Sequence, residues 1–363
     1  MVSLTGSCTK PEGFRTGTIQ VRVTGVDTKS AVTTTRLLNE SGAFSMAAYL
    51  SDDYVKRNEN GVITDTFEGG EYFSGSGNVT LTGGVWNIAG EPEWVEDVDT
   101  HFWAWHPVSS YGRSITGPVV STPGTGPDDP EYPYTGALRF SYVTPTPDGT
   151  TDAASAEDLL FAYATKKYEF KEDPTYNDLS IDITFHHALS QVRFCVSTDD
   201  GTFDKSLKIK NITITNLKTS GDAVFEDDEF EWSNQAGEDD FGQDYDADFS
   251  TSTVTGWTKG SYTRSSHTYN LYTCENVFFV IPQTIRTVGD YPSSNQLTVV
   301  FDYKGNETSK SVPLAGLAMG DSDDWDADYY YTYKIDATTV GRDIDLSVSL
   351  VGWSNRKEEI FVI

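Results

Sequence analysis

The sequence is short of cysteine, of basic residues and of long apolar runs, and each shortage excludes a class of protein. Three cysteines in 363 residues are too few for a disulfide framework. Lys and Arg number 26 against 55 Asp and Glu, and the net charge of −29 argues against binding to nucleic acid or to an anionic membrane surface. No run of eighteen apolar residues occurs, so we expect no membrane-spanning helix.

The chain also lacks the motifs of common enzymes and metal sites. G-x-S-x-G, the Walker phosphate loop and H-E-x-x-H are all missing. The Gly-Asp-Ser triplet at 320–322 is similar to part of a lipase nucleophile block, but no His follows position 267 to complete a triad. His186 and His187 are adjacent, so on a strand they would face opposite sides. We therefore predict no catalytic residues, no metal and no cofactor.

Aromatic and small polar residues dominate instead, and they favour strands and turns. Alternation of apolar and polar residues predicts many short strands and hence an all-β fold of sandwich or barrel domains. A break in the alternation near Asn211 indicates a β-bulge. The stretch 155–170 is mixed or helical in pattern, and the acid-rich stretches 225–249 and 321–328 are predicted to be solvated loops. The predicted strands are 18–26, 42–50, 78–86, 101–108, 137–143, 181–185, 192–196, 207–217, 276–284, 296–303, 329–336 and 343–353.

Cys8 follows Leu4-Thr5-Gly6-Ser7, a short box of apolar and small residues. Bacterial lipoprotein signals end in this way, at the cysteine that receives the lipid, and we predict lipidation of Cys8. A surface cysteine in a disordered leader is the alternative. Cys195 and Cys274 then remain either as one bridge or as two buried thiols, and their apolar surroundings favour the thiols.

An ordered set of short motifs runs along almost the whole chain. After the box at Cys8 and the early strand comes "TTTR", which ends at Arg36. The motifs that follow are "FWAWHP", "DLLFAY", "ITFHHALSQVRFCV", "IKNITITNL", "VIPQT", "YYYTYKI" and "LVGW". In this order the set resembles the fimbrillin-like family of Bacteroidetes, the subunits of type V pili.

The resemblance implies an architecture and a localisation. The fold would be two tandem transthyretin-like β-sandwich domains without enzymatic activity. With the boundary placed by composition, residues 1–17 are a lipoprotein leader, 18–165 the N-terminal domain and 166–363 the C-terminal domain. The protein would be an outer-membrane lipoprotein at the cell surface, in contact with the membrane only through its lipid.

The resemblance also implies an assembly mechanism. A protease would cut between Arg36 and Leu37 and remove the first strand, whose inward residues would be Ile19, Val21 and Val23. The groove left behind would accept a strand from another pilus subunit. The expected partners are therefore the processing protease and other pilus subunits. An ordinary loop cation is the alternative role of Arg36.

The chain ends with the apolar residues Ile360, Phe361, Val362 and Ile363. Such a tail either closes its own sheet or serves as a donor strand in a partner, and both roles remain open. An alternative function is also open, that of a surface lipoprotein that binds a host glycan or protein without polymerising. In that case exposed Trp232 or Trp257 would stack on sugar rings. A secreted hydrolase with dispersed carboxylates is a third alternative, and calcium binding by the acidic stretches is a fourth.

Overall fold

The structure is a computed structural model, and the residues that it describes form strands joined by turns and loops. It describes residues 17–25, 42–51, 54–57, 63–67, 69–107, 116–120, 137–144, 151–152, 158–169, 171, 178–226, 228–285, 294–315, 317, 324–341 and 343–355. No residue in these ranges is helical, which confirms the predicted all-β fold. Cys8, Arg36, Leu37 and 360–363 lie outside the described residues.

Among the described residues, sheet 1 has eight strands, and β1, the first strand that the structure describes, is one of them. Its inner face buries alternate side chains from most of its strands in one apolar cluster. In spatial order its strands are β12 (Ser180–Thr184), β1 (Gln20–Gly25), β6 (Val85–Ile88), β5 (Gly70–Thr82), β2 (Ala43–Leu50), β7 (Asp99–His106), β11 (Leu160–Lys167) and β13 (His186–His187).

Sheet 1 curls until β12, at one end, lies against β11, near the other. The Lys166 side chain on β11 donates hydrogen bonds to the carbonyl oxygens of Asp178 and Ser180, at 2.8 and 2.6 Å. The Phe185 ring, just beyond β12, packs edge-on against Phe44 of β2, with ring centroids 5.3 Å apart. The inner face is thereby closed on itself.

Sheet 2 covers the outer face of sheet 1. Trp103 and Phe161 of sheet 1 share an apolar cluster with Phe140 and Phe225 of sheet 2, and the Phe140 and Phe161 rings stack at 4.3 Å. Because β2, β7 and β11 are buried on both faces, their apolar residues run almost without interruption. The strands of sheet 2, in order, are β17 (Glu229–Ala236), β16 (Ser220–Glu226), β9 (Leu138–Val143) and β8 (Thr116–Val120).

Sheets 3 and 4 form a second sandwich around the largest apolar cluster. Sheet 3 consists of β10 (Thr151–Asp152), β18 (Asp239–Asp248), β15 (Leu207–Leu217), β23 (Gln296–Tyr303) and β24 (Asn306–Pro313). Sheet 4 consists of β19 (Trp257–Arg264), β20 (His267–Cys274), β14 (Ser190–Ser197), β26 (Tyr329–Val340) and β27 (Asp343–Asn355), with β21 (Phe278–Val280) paired to β14. The remaining described strands form two small pairs, β3 (Tyr54–Arg57) with β4 (Ile63–Phe67) and β22 (Gln283–Thr284) with β25 (Asp324–Trp325).

The predicted domain division between residues 165 and 166 stays a prediction. Strands from beyond it join partners from before it, since β12 pairs with β1 and β16 pairs with β9. Hydrogen bonds therefore tie the two halves of the sequence together at both sheet 1 and sheet 2.

Two expectations about secondary structure were wrong. The stretch 155–170 contains the strand β11, because pairing along β7 overrides its mixed helical pattern. Much of the acid-rich stretch 225–249 forms β17 and β18 rather than a loop. In β18, Phe241 and Tyr245 point inward while Asp240 and Asp244 point outward, so the carboxylates are solvated although the backbone is paired.

Two local predictions are confirmed. The register of β15 shifts between Ile209 and Asn211 against both of its neighbours, which is the bulge expected there. Cys195 and Cys274 are free and buried rather than bridged. Burial raises the pKa of the Cys195 thiol to about 12 and that of Cys274 to about 11, so both thiols are held in the unreactive neutral form.

A mostly buried ion pair ties β26 to the turn after β14. Lys334 Nζ lies 2.6 Å from Asp200 Oδ2, and both side chains are 11% exposed. Asp200 also accepts hydrogen bonds from the Tyr262 hydroxyl and the Thr202 backbone N–H, at 2.9 and 3.0 Å. Burial alone would raise the pKa of Asp200, but the hydrogen bonds from Lys334 and Thr202 outweigh it and hold that pKa well below its usual range.

We expect Asp200→Asn to lower the free energy of unfolding at pH 7 by about 2–3 kcal/mol, since it removes the nearer of the two carboxylates beside Lys334 and leaves only Asp336, whose Oδ1 lies 3.1 Å from Nζ. A carboxylate with a depressed pKa stabilises the fold above its unfolded pKa of about 4 and loses that contribution as the pH falls. Denaturant titrations from pH 7 to pH 3 should therefore show the gap between wild type and variant closing below about pH 4. A gap that stays constant over this range would contradict the assignment.

Candidate functional site

The first strand, β1, lies between two strands that are distant from it in sequence. It pairs parallel with β12 from Gln20 opposite Ser180 to Gly25 opposite Thr184, and it meets β6 antiparallel at Val21 and Trp86. The backbone N–H of Gln20 donates to the Leu179 carbonyl at 2.9 Å. Both edges of β1 therefore have partners, as in an interior strand.

One face of β1 carries apolar side chains into the inner cluster of sheet 1. Ile19 is 3% and Val21 5% exposed, while Val23 is half-buried. We call the channel that they fill the first-strand groove, and its apolar residues are Trp86, Ile88, Trp94, Ile181 and Ile183. The predicted inward face of the first strand is thus the face that packs in this groove.

The other face of β1 is polar, and its Arg22 forms an ion pair with the neighbouring strand β12. Arg22 stands directly opposite Asp182 in the ladder. Arg22 Nε lies 2.7 Å from Asp182 Oδ1 and Nη2 lies 3.3 Å from Oδ2, so the contact is bidentate. Asp178 Oδ2 is 3.7 Å from the same guanidinium.

Contacts that do not involve β1 hold one wall of the groove. The Trp94 indole N–H donates to the Leu179 carbonyl at 2.7 Å, just before β12 begins. Lys166 reaches the same segment from β11, and its Nζ also lies 3.2 Å from Asp178 Oδ2. A hydrogen bond from the Ser180 hydroxyl, with further ones from the Ser180 N–H and Lys166, lowers the pKa of Asp178 to about 2. The β12 wall is thus held by Trp94 and by Lys166 of β11 in addition to β1, and the Trp94 backbone is itself hydrogen-bonded to Gly17.

The start of β1 fits closely against this wall. The Gly17 carbonyl accepts a hydrogen bond from the backbone N–H of Trp94 at 3.1 Å. A Cβ atom at Gly17 would lie 2.3 Å from Leu179 Cδ1, so a larger residue there would require the Leu179 side chain to move. The chain enters the groove at a point where only glycine fits without rearrangement.

The remaining predicted site residues are not placed by the structure. Cys8, Arg36 and Leu37 lie outside the described residues, as does the tail 360–363. Lipidation, cleavage and strand donation therefore stay predictions.

The expectation that Trp232 and Trp257 are exposed was wrong. Trp257 is 4% exposed and packs edge-on against Phe249 in the core of the second sandwich. Trp232 is half-buried, and its indole N–H donates to the Ala188 carbonyl at 3.0 Å. Each tryptophan lies on a strand, Trp232 on β17 and Trp257 on β19, and the packing of that strand turns it inward.

A cavity of about 920 Å³ was missed by the sequence reasoning. Asp228 and Glu229 line it from the β16–β17 hairpin, and Asp324 and Asp326 line it from β25 and the residue after it. Buried His186 lies beside it, with Nε2 3.5 Å from Asp228 Oδ1. The two acid-rich stretches of the sequence meet here, but nothing local in either stretch indicates that they do.

Burial, together with the nearby Asp324 carboxylate, raises the pKa of Asp326 in this cavity. Across the described ranges, no three His, Cys, Asp or Glu side chains are grouped so that they could hold a metal ion. The first-strand groove holds an extended segment, β1, by backbone pairing and apolar contact.

The packing of the sheets and the groove filled by β1 define a β-sandwich protein in which this strand is buried between neighbours that are distant in sequence. The fimbrillin-like family model matches residues 52–353. The chain therefore belongs to the fimbrillin-like family. The matched region begins after β1, so it includes the walls of the groove but not the strand that fills it.

Solved structures of fimbrial proteins are similar over nearly the whole chain at low identity. A fimbrial protein from Bacteroides vulgatus is 14% identical, with a TM-score of 0.47 and coverage of 93% of this chain and 99% of that one. The fimbrial anchor protein Mfa2 from Porphyromonas gingivalis is 11% identical, with a TM-score of 0.30 and coverage of 95% and 99%. A fimbrial assembly protein from Parabacteroides distasonis is 10% identical, with a TM-score of 0.35 and coverage of 92% and 97%. The family assignment rests on the family model, not on these likenesses.

No curated protein matches the sequence. Within the described ranges, no helix has the length and apolar character needed to cross a membrane.

Proposed function

We propose that this chain is a structural or adhesive subunit of a type V pilus at the cell surface, where it joins other pilus subunits by strand exchange. The observation that carries the proposal is the first-strand groove, whose β12 wall is held by Trp94 and Lys166 rather than by β1 alone. Because Lys166 holds the β12 wall from β11, the wall keeps an anchor while one strand leaves and another enters.

The proposed sequence of events begins at the outer membrane. Lipid on Cys8 tethers the precursor, and β1 fills the groove during export. A protease then cuts between Arg36 and Leu37, eleven residues beyond the end of β1 at Gly25. Because the covalent link from β1 to the rest of the described chain runs through the segment before β2, this single cut separates the tether and the strand together from that chain, and β1 is then held only by non-covalent contacts.

Loss of β1 leaves a groove that favours a replacement. Three apolar side chains lose burial worth about 1.5–3 kcal/mol each, or on the order of 5–9 kcal/mol in total. The facing edges of β6 and β12 also lose their backbone partners, and an unpaired edge is a template for strand addition. A donor strand with alternating apolar residues would restore both contributions, less the cost of ordering it.

The tail 360–363 follows β27, an edge strand of sheet 4. We propose it as a candidate donor, with closure of its own sheet as the competing role. Capture of a glycan or host protein without polymerisation has less support, because the two tryptophans expected to be exposed are buried or half-buried.

Mass spectrometry of the native protein tests this proposal. We expect subunits within pili to begin at Leu37 and to lack residues 17–25, while the precursor carries lipid on Cys8. Unprocessed subunits from the membrane fraction of the same cells provide the control. Pili whose subunits retain residues 17–25 would rule out exchange of the first strand.

A further inference from the structure

We propose that the first-strand groove selects an incoming strand with a basic side chain between its second and third apolar residues, and that Asp182 and Asp178 read that side chain. The inference rests on the proposed function, because it concerns the strand that replaces β1. It assigns the choice of partner to the two carboxylates of Asp178 and Asp182, which we call the polar rim of the groove. The apolar residues of the groove supply most of the affinity.

The geometry of Arg22 defines the position. Arg22 lies between inward-facing Val21 and Val23 and directly opposite Asp182. Side chains opposite each other on neighbouring strands are close enough to interact, and opposite charges there are favourable. The two contacts from the guanidinium to Asp182, at 2.7 and 3.3 Å, match the planar fork that arginine presents to a carboxylate.

Departure of β1 leaves this rim with uncompensated negative charge. Asp178 keeps Lys166 at 3.2 Å, but within the described part of the chain the contacts of the Asp182 carboxylate are those from Arg22. A donor with a basic residue opposite Asp182 restores the pair. A donor with a carboxylate there places two like charges across the ladder, which is unfavourable.

Strand alternation fixes where the basic residue must stand. Side chains of a strand alternate between faces, so a shift of one residue would turn the basic side chain into the apolar groove. The ladder with β12 is parallel, which also sets the direction of the donor. The selected pattern is therefore apolar, any residue, apolar, basic, apolar, read along the direction of β12.

The expected selectivity is moderate because the pair is exposed, with side chains 55% and 53% accessible. Loss of one exposed ion pair weakens binding by about 2–5-fold. Reversal of the charge adds repulsion, and we expect about 10–30-fold weaker binding at low salt. The difference should shrink as salt screens the rim, since the screening length falls to about 3 Å at 1 M.

A peptide-exchange assay on the full chain tests the inference. A recognition site for a sequence-specific protease is inserted at 36–37, and the cut chain keeps β1 bound without a covalent link. The probe is a fluorescent peptide of residues 17–25, and its entry into the groove is followed by anisotropy. Variant peptides carry Arg22→Glu or Arg22→Gln, and a matched control exchanges the residues at 20 and 22, which keeps the composition identical.

Charge reversal in the acceptor completes the test. We expect the Arg22→Glu peptide to bind 10–30-fold more weakly than the wild-type peptide and to recover at least fivefold on the Asp182→Arg acceptor. The peptide with residues 20 and 22 exchanged should bind about 2–5-fold more weakly than wild type. If Asp182→Arg does not fold, the unaltered acceptor is used at low and high salt. The ratio of its affinities for the wild-type and Arg22→Glu peptides should then fall as the salt concentration rises.

The outcomes separate the inference from the proposed function. Equal binding of wild-type and Arg22→Glu peptides, at low and high salt alike, overturns the inference and leaves strand exchange standing. A second probe is a peptide of the tail 356–363, which has no basic residue among its apolar residues 360–363. If this tail peptide bound as tightly as the wild-type peptide of residues 17–25, the selection rule would also be overturned. If no peptide enters, the wild-type peptide included, strand exchange itself fails and the inference falls with it.

Discussion

Replacing Arg36 with alanine should reduce at least tenfold the SDS-resistant multimers that the proposed strand exchange would produce. In the proposed mechanism the cut after Arg36 allows β1 to leave, whereas an uncut β1 stays at a high local concentration beside its own groove. An intramolecular strand with an effective concentration in the millimolar range outcompetes a donor present at far lower concentration. Immunoblots of unboiled pili from cells expressing either form would show the ladder in wild type and monomers in the variant.

Arg15→Ala is the matched control for this experiment. Arg15 precedes β1, so cleavage there would leave Ile19, Val21 and Val23 in the groove. We expect a normal ladder from Arg15→Ala and accumulation of lipidated precursor from Arg36→Ala. A full ladder from Arg36→Ala, with residues 17–25 still attached, would show that polymerisation does not depend on this cut.

Val21→Asp should lower the free energy of unfolding of the uncut chain by about 3–5 kcal/mol. Val21 is 5% exposed opposite Trp86, so the change loses apolar burial and places a carboxylate in an apolar cluster without a cation. The cost is limited by the free energy needed to release β1 alone, since a detached strand returns the carboxylate to water. Urea titration measures the loss, and hydrogen exchange at residues 180–184 would show whether β1 detaches first.

Gln20→Asp provides the control on the neighbouring residue. Gln20 lies on the outward, exposed face of β1, so the same aspartate there should change the free energy of unfolding by less than about 1 kcal/mol. Similar losses from both variants would mean that the inward face of β1 contributes no more than its polar face. That result would remove the energetic basis for a groove that requires a strand.

The behaviour of β1 was predictable because alternation is a local property. Ile19, Val21 and Val23 recur every second residue, which assigns them to one face of any strand that contains them. The same argument found the bulge near Asn211, where the period of two is interrupted. It failed for β17 and β18 because charged residues suggested a loop, although Phe241, Tyr245 and Ala247 in β18 keep the alternation.

The polar half of the site could not be predicted in the same way. Arg22 and Asp182 are 160 residues apart, and neither carries a local signal that it faces the other. The acid-lined cavity has the same origin, since Asp228 and Asp326 come from separate stretches that the packing of sheet 2 brings together. The separation of two residues along the chain does not identify such partners. The entropic cost of closing a loop grows only slowly with its length, so a distant partner costs little more than a near one.

The sequence by itself therefore determined the all-β class, the family resemblance and which side chains of the first strand face inward, since each depends on residues that are near neighbours in the chain. Only the tertiary structure decided that β1 lies parallel to β12, that Trp94 and Lys166 hold the β12 wall, and that Arg22 forms an ion pair with Asp182. These features depend on which strand edges meet. Which strand edges pair depends on the burial achieved by the whole fold, so the sequence of a single segment cannot determine it.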